Sequence, residues 1–222
     1  MRLILIRHGQ TPANVTGTLE STVPGPGLTD LGMDEAAAVP ATMADEAIGA
    51  IFASTQIRSQ ITATPLAESR GLPIQVRDGI REIDAGDLEG NTDRPSVVTY
   101  VQTFLSWIDG DLDRRMPGSE DGHEALGRFD AVIAEVEQLG HATVAFVSHG
   151  AIIRAWVGTH TDDVDAEFFR NHFVTNTGYV IVEGSTTEGW RLVTWEGGGV
   201  FDAPLSAPED ESPAAETADD LA

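Results

Sequence analysis

Two histidines in this chain each close a short apolar run and are followed by glycine, in Arg7-His8-Gly9 and Ser148-His149-Gly150. A third apolar run, Ala50-Ile51-Phe52-Ala53, leads through Ser54 to Arg58. An imidazole can act as a nucleophile toward phosphorus. Guanidinium forks match phosphate oxygens in pairs and do not deprotonate. Displacing an alcohol from phosphorus also needs a proton donor for the leaving oxygen. The loop Arg81-Glu82-Ile83-Asp84-Ala85-Gly86 offers Glu82, with Asp84 and Asp87 as rivals. Other chemistries are closed. The chain has no cysteine and all 13 of its basic residues are arginine. Thiolate nucleophiles, thiolate zinc sites and Schiff-base or P-loop lysines are therefore excluded. Ser148 lacks the G-x-S-x-G context of a nucleophilic serine, and Pro24-Gly25-Pro26-Gly27 lacks the G-x-G-x-x-G order of a dinucleotide loop. His123, His141, His160 and His172 show no metal-ligand spacing, so no metal is expected.

These side chains meet only if the intervening chain alternates between strands and helices. Leu3 to Ile6, Ala50 to Ala53, Ile74 to Val76 and Thr143 to Val147 read as buried strands. Helices are expected over about 31–43 with Thr29 as N-cap, from a Ser54 cap to about Arg70, over about 96–108 and 122–139, and from Ala151 to Val157. Pro40 is expected to kink or end the first of these, and Pro65 lies inside the second. Residues 78–95 form an acidic loop, and Asp109 to Asp121 a polar one. Tyr179 to Val182 and Arg191 to Trp195 read as a closing hairpin. The alternation predicts an α/β domain with a largely parallel sheet. In such a sheet His8, Arg58 and His149 all follow carboxyl ends of strands, the edge where ligands bind, beside helix N-termini that attract anions.

Length and composition bound the rest. At 222 residues with 41 % hydrophobic content, the chain suits one domain with a sizeable core. The formal net charge of −23 repels phosphate backbones, so neither nucleic acid nor an anionic membrane is an expected partner. No run approaches the ~20 apolar residues of a membrane span, and Leu3 to Ile6 is too short for a signal-peptide core. A soluble, cytoplasmic protein is expected. After Trp195 the composition turns to Gly, Pro, Ala and acids, and residues 203–222 hold six acidic residues and no cation. The expected organisation is a catalytic domain over 1–202, a small cap at about 91–121, and a disordered acidic tail over 203–222. The four tryptophans are expected in the core or at an interface, and apolar strands with exposed Trp would permit a homodimer.

At these residues the sequence resembles the histidine phosphatase superfamily, in its phosphoglycerate-mutase-like branch. Arg7-His8-Gly9-Gln10-Thr11 followed by Asn14 is similar to the opening motif R-H-G-x-T-x-x-N. Gly27-Leu28-Thr29-Asp30-Leu31-Gly32 looks like P-L-T-x-x-G, with Gly27 in place of proline. Arg58 with Thr62-Ala63 resembles the second-arginine motif, although the usual S-P-L-x-R-A-x-Q-T-A reads here from Ser54 through Ile57 and Gln60 with different neighbours. Glu82, Gly86 and Glu89-Gly90 resemble the acid loop, Pro117-Gly118-Ser119-Glu120 a P-G-G-E-S loop, and Ser148-His149-Gly150 the second-histidine motif. Asn176 stands where the family often has Asn before a strand.

The resemblance implies a three-layer α/β/α sandwich and a phosphomonoesterase acting on a small phosphorylated metabolite, with no cofactor or metal. His8 would carry a transient phosphohistidine. Arg7, Arg58 and His149 would hold the phosphoryl oxygens. Glu82 would protonate the leaving group and then activate water. Asn14 and the Gly150 backbone would add contacts to the phosphoryl group. The segment from Gly90 to Pro117 lacks the long Arg- and Pro-rich insertion of a bisphosphoglycerate-dependent mutase, which favours hydrolysis. A phosphoglycerate mutase and a non-catalytic phosphate-binding regulator remain the alternatives.

Overall fold

The fold is that of a computed structural model, and it describes residues 1–161 and 164–197. The acidic tail expected at 203–222 lies outside the described residues. Strand β1 (Arg2–Arg7) explains the layering. Leu3, Ile4, Leu5 and Ile6 are all fully buried, because successive side chains of a strand point to opposite faces and here both faces are covered. Leu3 and Leu5 join one hydrophobic cluster, and Ile4 and Ile6 another.

The other strands are β2 (Ala50–Ala53), β3 (Ile74–Val76), β4 (Thr143–Ser148), β5 (Tyr179–Ser185) and β6 (Gly189–Glu196). They form one sheet in the order β3-β2-β4-β1-β5-β6. β1 to β4, β4 to β2 and β2 to β3 pair in parallel, while β5 runs antiparallel to β1 and β6 antiparallel to β5. The sheet is thus largely parallel with a closing hairpin, as expected from the sequence.

Helices α1 (Pro12–Thr16), α2 (Asp30–Thr42) and α3 (Ile57–Arg70) come first in the chain. Then follow α4 (Arg94–Ile108), α5 (Gly122–Gln138), α6 (Gly150–His160) and α7 (Ala166–Asn171). Val39 of α2 and Ala63 and Leu66 of α3 pack with Ile4 and Ile6. Phe104 of α4, Phe129 of α5, Trp156 of α6 and Phe169 of α7 pack with Leu3 and Leu5. Helices therefore cover both faces, which makes the three-layer α/β/α sandwich.

Several local expectations change. Pro40 does not end α2 at once; the helix runs to Thr42, with the Met43 N–H donating to Val39 O at 3.0 Å. The N-cap of α3 is Gln56 rather than Ser54. The Ser54 hydroxyl is drawn instead to His149 Nε2 at 2.7 Å. α1 and α7 were not expected from the sequence, because elements of five or six residues show no helical period. The segment 91–121 builds core as well as surface: Val97, Tyr100, Val101, Phe104 and Trp107 are buried in the larger cluster. No tryptophan is exposed. Trp107, Trp156 and Trp190 are buried and Trp195 packs partly buried against the core, because their ring areas fill the layer between sheet and helices. The tryptophan argument for a homodimer falls with this.

Candidate active site

The strand order places β1 between β4 and β5, so the ends of β1 and β4 emerge side by side at the carboxyl edge. The His8 N–H donates to Ser148 O at 3.0 Å, extending that pairing past the strand. Opposite, the first turn of α2 presses on the same segment. A Cβ on Gly9 would lie 2.6 Å from Gly32 O, so only glycine permits the approach. The resulting cleft measures about 430 Å³ to its open mouth and is lined by Arg7, His8, Thr11, Asn14, Glu20, Ser21, Arg58, Glu82 and Tyr100, among others.

His8 is fixed by its own loop. Its Nδ1 lies 2.7 Å from Gly9 O. A carbonyl only accepts, so Nδ1 carries the proton and Nε2 keeps its lone pair. Burial, then the charges of Arg58 and Arg7, hold the imidazole well below its ordinary pKa. The neutral, nucleophilic form is thereby favoured. Asn176 Nδ2 donates to His8 O at 3.0 Å, and the Thr177 N–H donates to the same oxygen at 3.3 Å. Thr177 holds a positive φ of 54° to do so, a strained conformation for a β-branched residue that the loop imposes beside the site.

His149 stands behind His8, with ring centroids 5.1 Å apart. It is fully buried and does not line the cleft. Arg58 Nε donates to its Nδ1 at 3.3 Å. The neutral ring therefore carries its proton on Nε2 and donates it to Ser54 Oγ. Burial and Arg58 hold its pKa, too, well below the ordinary value. Gly150 is buried at the first position of α6 and likewise does not line the cleft.

The two arginines are fixed through part of each guanidinium. Arg7 Nη1 donates to Val174 O at 2.7 Å. Arg58 Nη2 donates to Glu20 O at 3.1 Å, while its buried Nη1 meets no acceptor among the described residues. An unpartnered buried donor of this kind is one that an anionic oxygen can satisfy. Asn14 Oδ1 accepts from Thr11 N at 3.0 Å and Thr11 Oγ1 at 3.0 Å, and from Asn176 Nδ2 at 3.3 Å. That set orients the amide so that Nδ2 is left as a donor.

Glu82 is buried in the lining of the same cleft. Its Oε1 accepts from the Ile83 N–H and from the Ile152 N–H, each at 2.9 Å. Among the described residues its Oε2 accepts only from the Ala151 N–H, at 3.2 Å. The carboxyl thus sits at the N-terminus of α6 with one oxygen saturated and one lightly held. Burial raises its pKa; the three N–H donors and Arg58 oppose that rise without cancelling it. Neither rival is placed like this: the Asp84 carboxylate caps the Gly86 N–H at 3.0 Å, and Asp87 lies against Gly118.

Sequence reasoning missed the parts that hold Glu82. Arg128 donates to Gly79 O at 2.9 Å, Arg81 O at 2.7 Å and Glu82 O at 3.0 Å. Its remaining donors go to Glu120 Oε1 at 2.8 Å and Oε2 at 3.0 Å. Glu120 also accepts from the Asp84 N–H at 3.1 Å. One ion pair therefore grips the loop on both sides of Glu82. Gln56 bridges to the rim, accepting from the Glu82 N–H at 2.9 Å and donating to Ser21 O at 2.8 Å. Glu120 had a signal in its P-G-S-E loop; Glu20, Ser21, Gln56, Tyr100 and Arg128 had none. Among the described residues, no group of three or more His, Asp or Glu is placed to hold a metal ion. No helix among them is long and apolar enough to cross a membrane.

Comparison with known proteins gives this arrangement its class. Residues 3–197 match the histidine phosphatase superfamily (branch 1), and the chain belongs to that family. It is 28 % identical over 155 residues to the adenosylcobalamin/alpha-ribazole phosphatase of Escherichia coli, covering 69 % of this chain and 75 % of that protein. It is 33 % identical over 208 residues to the PE-PGRS family protein PE_PGRS11 of Mycobacterium tuberculosis. That match covers 86 % of this chain but spans only 36 % of the longer relative. Among solved structures, a mycobacterial glucosyl-3-phosphoglycerate phosphatase in complex with VO3 superposes with a TM-score of 0.74. The two are 25 % identical, and the superposition covers 89 % of this chain and 99 % of the other.

Proposed function

We propose that the protein is a phosphomonoesterase that hydrolyses a small phosphorylated metabolite through a phosphohistidine on His8. One observation carries this reading: His8 has its Nδ1–H tied to Gly9 O, which leaves a neutral Nε2 in a cleft shared with Arg7, Arg58 and the buried Glu82. In the first step Nε2 attacks phosphorus and the ester P–O bond breaks. The leaving oxygen takes the proton of Glu82, delivered from the lightly held Oε2. In the second step Glu82 takes a proton from water, the water oxygen bonds to phosphorus, and the P–N bond breaks. Inorganic phosphate leaves and His8 is restored.

Arg7 and Arg58 would neutralise the phosphoryl oxygens throughout, which gives the reaction its positive charge without a metal. Asn14 would donate through Nδ2. His149, whose Nε2–H is fixed to Ser54 and whose Nδ1 accepts from Arg58 Nε, would contact a phosphoryl oxygen once Arg58 turns from it to the bound phosphate and Nδ1 takes a proton. The Gly150 amide, at the N-terminus of α6, would support the same region through the helix dipole. The relatives named as phosphatases support hydrolysis as the chemistry.

The test is phosphate release from a panel of phosphomonoesters in EDTA, with wild type beside His8→Ala. Turnover in EDTA that vanishes in the variant is expected. Isomerised phosphoglycerate without free phosphate would move the assignment to a mutase. Tight phosphate binding with no product would make the protein a binder.

A further inference from the structure

We propose that Glu20 selects the leaving group. It favours phosphate esters of polyhydroxylated alcohols and rejects esters that carry a carboxylate beside the phosphate. The inference rests on the phosphomonoesterase reading above and names the substrate class of that same site.

The charge inventory of the cleft comes first. Its lining holds two cations, Arg7 and Arg58, and two acids, Glu82 and Glu20. The remaining wall is neutral and includes Thr18, Ser21 and Tyr100. Both guanidiniums line the cleft with His8, and the mechanism above assigns them to the phosphoryl end. Among the described residues no further arginine lines the cleft to receive a second anionic group. Arg81, the cation nearest along the acid loop, is turned to Asp78 and Glu120.

The second part is where Glu20 stands. Its peptide oxygen accepts from Arg58 Nη2 at 3.1 Å, so its backbone is bound to the phosphoryl-binding arginine itself. Its Oε1 accepts from the Thr22 N–H at 2.9 Å and from the Thr22 hydroxyl. Oε2 has no hydrogen-bond partner among the described residues. A Cβ placed on Gly25, whose φ is +67°, would lie 2.9 Å from Arg58 Nη1 and 3.4 Å from Glu20 Oε1. The open donor of Arg58 and the carboxylate of Glu20 therefore border the same point. A substrate whose phosphoryl oxygen meets Nη1 brings its alcohol portion alongside Glu20.

Three outcomes follow for that alcohol portion. A hydroxyl donates a charge-assisted hydrogen bond to Oε2. A carboxylate meets a like charge, with no cation in the lining beyond the two arginines that the phosphoryl group takes up, which is selection by repulsion. A group with neither is indifferent to Glu20.

Glycerol 3-phosphate and 3-phosphoglycerate differ only in CH₂OH against COO⁻ and so isolate the effect. We expect the wild type to favour glycerol 3-phosphate in kcat/KM. In Glu20→Gln that preference should shrink by roughly ten- to a hundredfold, the worth of one hydrogen bond to a charged group. The same ratio in wild type and variant overturns the inference. Wild-type hydrolysis of phenyl phosphate, abolished by His8→Ala, checks the phosphatase reading separately. If no ester is hydrolysed, that reading has failed. The inference is then decided by calorimetric binding of the same two ligands to wild type and variant, where an unchanged affinity ratio again overturns it.

Discussion

Acid should destabilise this protein through its two central histidines. His8 and His149 are buried, and burial with the charge of Arg58 holds both well below the ordinary imidazole value of 6.5. Above that value neither folded nor unfolded chain carries the proton, so nothing is lost. As the pH falls through it the unfolded chain binds one proton per histidine while the folded chain refuses both, and stability falls. Each proton is worth about 1.4 kcal/mol per pH unit at full slope. Allowing for partial titration around the midpoint, the pair together loses about 2 kcal/mol between pH 6.5 and about 5.5. That is a large part of a typical stability of about 5–15 kcal/mol. Glu82 works in the other direction: its raised pKa contributes stability at low pH that is lost as the pH rises through the folded value. A comparison against His8→Gln/His149→Gln removes that opposing contribution and those of the surface acids. Urea unfolding of both proteins from about pH 7.5 to 5.5 should show the wild type losing about 2.7 kcal/mol more than the double variant, about 2 of it below pH 6.5. Parallel curves would mean that the pair protonates as easily folded as unfolded, and would refute the buried, neutral nucleophile.

Two further outcomes concern the acid and its mounting. Glu82→Gln keeps an oxygen for the α6 amides but has no proton to give, so kcat on alkyl phosphates should fall about 10²–10⁴-fold. The fall should be much smaller for an aryl phosphate, whose leaving group needs little protonation; equal losses on both would remove Glu82 as the donor. Arg128→Met frees three loop carbonyls and strips the buried Glu120 of its close partner, costing about 3 kcal/mol of stability. If Arg128 positions Glu82, kcat falls more than KM changes and the basic limb of the pH–rate profile moves. Arg128→Lys, which keeps charge but not the fork, should restore only part of either. A loss of stability with an unmoved pH profile would make the ion pair purely structural.

Much of this molecule was legible in one dimension. The runs Leu3 to Ile6 and Thr143 to Val147 are continuously apolar because both faces of a central strand are covered, and that pattern survives in the sequence. Arg7, His8, Arg58, Glu82 and His149 each sit in a short ordered motif, so their convergence could be expected once the strands were placed in parallel. Tertiary structure alone decided where each of them stands. His149 and Gly150 come to lie behind the cleft rather than in its lining, because α6 turns its first amides to Glu82. Ser54 leaves the cap of α3 for the ring of His149, a partner 95 positions away. Arg128 reaches three carbonyls of a loop more than 40 residues earlier in the chain. Glu20 reads as one more solvated acid in a chain of net charge −23 until the fold sets it beside Arg58. Residue type and local spacing determine which groups can do the chemistry. Which nitrogen keeps its lone pair, which oxygen can hold a proton and which charge faces the substrate depend on contacts between distant segments, and no local pattern encodes those.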